Sequence, residues 1–152
     1  MKSATVSGEA TAHVPEAELK KIQRSRAALS PAEQTLLADR EKQKGNEEFV
    51  AGDFTQSVYY FTRSLAYAER PHLFTNRALA FLRLQKYEQA LKDCDAALAL
   101  DPYHFKALLR RGIANLRQHH LKEALADFQA ASRIDPDNKE LHQLLQEAKN
   151  KA

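Results

Sequence analysis

The sequence predicts an all-α protein built as a stack of helix pairs, and three observations carry that expectation. Glycine and proline are scarce, four and five in 152 residues, so long stretches can run as uninterrupted helix. Alanine and leucine, both strong helix formers, are abundant. A pattern of small and large residues also returns every 33 to 34 positions.

The repeat is seen by aligning the stretches that open at Asp53-Phe54, Lys86-Tyr87 and His120-Leu121. Each begins with a polar residue and then a large apolar one. A small residue follows three positions later (Ser57, Ala90, Ala124). Four further on comes Phe61, Cys94 or Phe128, and three beyond that another small residue, Ser64, Ala97 or Ala131. Two units close alike, in Leu100-Asp101-Pro102 and Ile134-Asp135-Pro136, where proline stops the hydrogen-bond ladder. Small residues allow two helices to approach, and large ones fill the space between them.

This period and pattern resemble the tetratricopeptide repeat (TPR) family. The resemblance implies antiparallel helix pairs, A then B, wound into a right-handed superhelix with the A helices on its concave side. It places repeats at 38–70, 71–104 and 105–138, within a domain covering 31–152. The first unit departs from the pattern, with Glu69 where the others have Pro102 and Pro136, and its connection is one residue shorter. Repeat arrays need capped ends. Leu141, Leu144, Leu145 and Ala148 fall on one face of a capping helix over 139–150. Upstream, Ser30-Pro31-Ala32-Glu33 reads as a helix start with a capping box, so the first A helix is longer than usual. Leu19, Ile22 and Leu29 suggest a further helix over 15–29, and residues 1–14 read as disordered.

Inward positions of the A helices then become the candidate site, because concave solenoid surfaces bind ligands. Lys42 and Asn46 lie one turn apart. Asn76 follows thirty residues on, and Lys106 thirty after that, with Arg110 one turn later. Three helices thus offer side chains that are mostly hydrogen-bond donors. Such a set suits a C-terminal carboxylate with a neighbouring acid. The two amides donate to the carboxylate, Lys42 neutralises it, and Lys106 and Arg110 hold the second acid or backbone carbonyls. Phe49 and Leu79 are candidates to pack an aliphatic side chain of the ligand, and Arg83 and Arg117 to meet its upstream acids.

The run Lys42-Gln43-Lys44-Gly45-Asn46, with Asn76-Arg77 and Lys106-Ala107-Leu108-Leu109-Arg110, is similar to the carboxylate clamp of TPR co-chaperones. That resemblance implies binding of the EEVD-type tail of heat-shock protein 90 or heat-shock protein 70, in the service of assembling client complexes. The competing expectation is a structural scaffold that holds a partner domain on its convex face or N-terminal helix.

Other features read more plainly. The net charge of +3 is too small to imply nucleic acid. Tyr59, Tyr60, Phe61 and Tyr67 form an aromatic cluster read as repeat packing, since the basic residues lie mainly on other helices. Cys94 is the single cysteine, so no disulfide can form within the chain, and it reads as a buried, inert thiol. Standing where other repeats carry phenylalanine, it implies looser packing in the second unit. His119 and His120 are adjacent and share no helix face, which argues against a metal site. His13, His72, His104 and His142 read as surface residues. The basic run from Lys20 to Arg26 reads as a solvated face. No signal peptide, membrane span, phosphate loop or catalytic constellation is visible. The expectation is a cytoplasmic, non-enzymatic adaptor that needs no cofactor or metal and binds neither nucleic acid nor membrane.

Overall fold

A computed structural model describes residues 14–152, so the expectation for residues 1–13 lies outside the described residues. Val14 is completely buried. The described residues form eight helices and no strand: α1 (Glu16–Ala27), α2 (Pro31–Val50), α3 (Phe54–Tyr67), α4 (Pro71–Arg83), α5 (Tyr87–Leu100), α6 (Phe105–Arg117), α7 (Leu121–Ile134) and α8 (Lys139–Lys151). None is long and apolar enough to cross a membrane.

Local chemistry sets the helix starts. Ser30 Oγ accepts the Glu33 amide while the Glu33 carboxylate accepts the Ser30 amide, closing the capping box that begins α2. Asp53, His104 and Asn138 cap α3, α6 and α8 through side-chain acceptors. Pro71 opens α4, where its missing N–H costs nothing. The A–B turns share one device. Gly52, Gln85 and His119, at matching positions, take φ values of 86°, 59° and 63°. The amides of Asp53, Lys86 and His120 then reach back to the carbonyls of Glu48, Phe81 and Asn115.

From α2 onward each helix packs on its neighbours in sequence, α1 packs on α3, and α4 also touches α6 directly, as stacked A helices must. Inside the first and third pairs a glycine faces a phenylalanine ring sixteen residues on: Gly45 on Phe61, and Gly112 on Phe128. The A–B register of the shorter first repeat is therefore the same as in the third. The small positions of α3 are serines whose hydroxyls donate to α2 carbonyls, Ser57 to Gly45 (2.9 Å) and Ser64 to Ala38 (2.6 Å).

In the second pair Cys94 is buried, as its sequence position predicts. Ala78 stands where the other repeats have glycine, and both Ala78 and Cys94 are fully buried in one cluster with Ala90 and Ala114. The Ala78 methyl takes up part of the space that a phenylalanine ring would fill from the B helix. Burial pushes the Cys94 thiol up to about 12, with neighbouring Asp93 adding to the effect, so the group is inert at neutral pH.

Ion pairs stitch A to B helices. Arg77 holds Asp93 through two bonds of 2.7 and 2.9 Å, and Arg111 holds Asp127. In the first pair Arg63 donates instead to Glu41 (2.9 Å) and to Glu18 of α1. Glu18 also accepts from the Tyr59 hydroxyl (2.6 Å), so α1 lies on α3 with Ile22 buried. Tyr59, still edge-on to Tyr60 with ring centroids 5.1 Å apart, thus also anchors the N-terminal helix. At the other end, Leu141, Leu144 and Ala148 of α8 close the core formed by Leu108, Leu116 and Phe128.

Candidate functional site

Each A helix carries candidate residues along one side. On α2 these are Lys42, Asn46 and Phe49; on α4, Asn76, Leu79 and Arg83; on α6, Lys106, Arg110 and Arg117. Successive members stand three or four residues apart, or seven between Arg110 and Arg117, so helix period puts them on one side of each helix.

Arg110 ties two of these helices together. Its Nη1 donates to the backbone carbonyl of Thr75, next to Asn76, at 2.7 Å. Burial draws the Arg110 guanidinium below its ordinary pKa; Glu140 opposes that effect and Arg83 adds to it. Lys42 is half-buried and stands 3.9 Å from Asp39 on its own helix. Asn46 and Lys106 are exposed, and Asn76 is half-buried. Among the described residues Lys106 has no ion pair.

Two histidines belong to this face, against the expectation that they are ordinary surface residues. His72 is half-buried, faced by Lys42 and Asp39 of α2, by Arg70, and by His104. Burial, then repulsion from Lys42 and Arg70, holds its pKa below the usual imidazole range. His104 is also held low, first by burial and then by Arg110 and Lys106, against the pull of Asp101. Lys42, Lys106 and Arg110 are thus close enough to act on one pair of imidazoles. The spacing of His72 four residues before Asn76 was the available signal.

The four outer candidates divide. Leu79, Arg83 and Arg117 line a cavity of about 240 Å³, together with Tyr87, Ile113 and Leu144. Phe49 lies outside that cavity, packs edge-on to Phe54, and sits under Arg83, whose guanidinium is 5.1 Å from its ring centroid. Arg117 already pairs with Glu147 at 2.8 Å. No three His, Cys, Asp or Glu side chains gather as metal ligands would among the described residues.

The family described as tetratricopeptide repeat matches residues 42–104 and 75–139. The chain belongs to the TPR family. Its helices follow that family's superhelical stack of antiparallel pairs. Sperm-associated antigen 1 of Rattus norvegicus is 40% identical over 128 residues, a match covering 82% of this chain and 14% of that protein. The chain thus spans about one seventh of that relative's length. Two solved TPR domains share its fold and were determined with chaperone peptides. The first TPR of Spaghetti (RPAP3), bound to the HSP90 peptide SRMEEVD, is 32% identical with a TM-score of 0.74, covering 76% of this chain and 93% of that one. The second TPR domain of human RPAP3, in complex with the HSP70 peptide SGPTIEEVD, is 36% identical with a TM-score of 0.71, covering 79% and 98%.

Proposed function

We propose that the face formed by α2, α4 and α6 is a carboxylate clamp for the acidic C-terminal tail of heat-shock protein 90 or 70, and that the chain acts as a cytoplasmic co-chaperone adaptor. In this reading Lys42, Asn46 and Asn76 hold the terminal carboxylate, while Lys106 and Arg110 hold the acid or backbone upstream of it. The observation that carries the reading is the gathering of Lys42, Lys106 and Arg110 from two A helices around His72 and His104, with both asparagines on the same helix faces. Similarity at 32% and 36% identity to domains solved with EEVD peptides supports the choice of ligand. In this reading the cavity lined by Leu79 and Arg83 receives residues further up the tail.

A short flexible tail must be ordered on binding, so the affinity is on the order of micromolar. The test is calorimetry with SRMEEVD and SGPTIEEVD, each as free acid and as C-terminal amide. Free-acid binding should exceed amide binding at least about tenfold, given about 1.5–3 kcal/mol per charge-assisted bond. Asn76→Ala should weaken the free acid by a similar factor while helix content and melting stay unchanged. Equal affinity for acid and amide would remove the clamp. A scaffold working through its convex face or α1 would keep its partner in Asn76→Ala.

A further inference from the structure

We infer that His72 is a further ligand-contacting residue of this groove, and that its imidazole takes up a proton as an acidic peptide end is seated. The inference rests on the reading of the groove given above.

His72 shares with Asn76, Leu79 and Arg83 the face of α4 turned toward the neighbouring A helices. Its Nε2 is covered from solvent and makes no hydrogen bond to the protein. Buried polar atoms are nearly always partnered. This nitrogen therefore lacks a partner, which a ligand oxygen would supply once the side chains covering it move aside.

The groups around the ring come from each element packed near it. Lys42 and Asp39 face it from α2, Arg70 from the residue capping α4, and His104 from the residue capping α6. Asp39 is the single acid among them and stands within 3.9 Å of Lys42, which it partly compensates. His104 is less free to respond. Its Nδ1 accepts the amide of Ala107, so protonation there would give up the start of α6. His72 has no comparable tie.

In the free protein His72 is a neutral side chain set in a cationic wall. A carboxylate arriving between Lys42 and Asn76 cancels the repulsion that Lys42 and Arg70 exert on the ring and favours the imidazolium. The charged ring then donates an N–H to the carboxylate, adding one cation to the clamp. Lys and Arg stay charged and peptide carboxylates stay ionised near neutral pH, so with an N-acetylated peptide proton uptake reports imidazoles and the chain's own α-amino group.

The test is calorimetry of the full chain with N-acetylated SRMEEVD as the free acid, between about pH 6 and about pH 7.5, in two buffers of different ionisation enthalpy. Net proton uptake is expected, with Kd tightening as pH falls by at most about tenfold per pH unit for one proton. His72→Gln should keep the preference for free acid over amide and lose most of that slope. A second readout needs no variant: the His72 ring C–H resonance should titrate at higher pH in the peptide complex than in the free protein. Free-acid-selective binding without proton uptake, a slope unchanged in His72→Gln, or a His72 titration that the peptide leaves in place would each overturn the inference and leave the clamp standing. Equal binding of acid and amide would overturn both.

Discussion

Gly112 faces Phe128 so closely that a methyl group on Gly112 would lie 2.4 Å from the ring's Cε1. Both residues are buried, so the ring has little room to retreat. Gly112→Ala should therefore cost about 1–3 kcal/mol, read as a lower midpoint in urea. The second repeat, with Ala78 and Cys94 in these positions, shows how the family can solve the same fit. In a Phe128→Cys background, already weakened by a cavity, the extra cost of Gly112→Ala should largely vanish. Additive effects in that double-mutant cycle would contradict the packing account.

The A–B turns offer the opposite change. Gln85 and His119 hold left-handed φ values that Gly52 meets without strain at the matching position. Neither side chain is buried. Gln85→Gly and His119→Gly should each raise stability by about 0.5–1 kcal/mol, visible as a higher melting temperature with unchanged helix content. A loss of stability in both would mean that these side chains make contacts outweighing the backbone strain.

Helix α1 depends on one carboxylate. The Tyr59 hydroxyl, and behind it Arg63, holds the Glu18 pKa below its ordinary value, against the opposing effect of burial. A depressed carboxylate stabilises the folded state above its unfolded value of about 4.5 and loses that contribution as pH falls through the lower, folded value. Glu18→Gln should therefore release α1 at neutral pH at a cost of about 1 kcal/mol, small because the pair is partly solvated. Hydrogen exchange should speed up in α1 while α4 to α8 keep their protection. Acidification of the unaltered chain below about pH 4.5 should produce the same local pattern.

The groove histidines act on stability in the other direction. Burial and the nearby cations depress the folded pKa of both His72 and His104 below 6.5. The unfolded chain then takes up protons first as pH falls, so stability is full above about 6.5 and declines below it until the folded values are reached. Denaturant midpoints of the free protein should fall between about pH 7 and about pH 5.5, and His72→Gln should flatten part of that decline. A midpoint that rises over this interval would place the imidazoles in an anionic setting instead.

Much of this was readable from the chain. The 33- and 34-residue spacing, Ser30-Pro31-Ala32-Glu33 and the apolar line of Leu141, Leu144 and Ala148 are local signals, and local signals survive into the structure. That Lys42 and Asn46, and Lys106 and Arg110, share a side of their helices was legible because a helix face obeys a simple period. Contacts between helices were not. Whether Arg117 turns toward a ligand or toward Glu147 depends on where α8 docks, thirty residues away. Arg83 over Phe49 and His72 beside Lys42 likewise arise from the rotation between stacked pairs, which no spacing within one helix encodes. Ala78 opposite Cys94 is a complement of volumes across two helices, visible only once the register of the pair is known.

The bond from Arg110 to the Thr75 carbonyl has a mechanical meaning. In a linear array each unit leans on the next one, and the far end can peel away first. One arm of this guanidinium is anchored in the second unit while its stem grows from the third. A guest that grips the other arm becomes a cross-brace between them, so occupancy of the hollow should stiffen the C-terminal half of the stack as one piece.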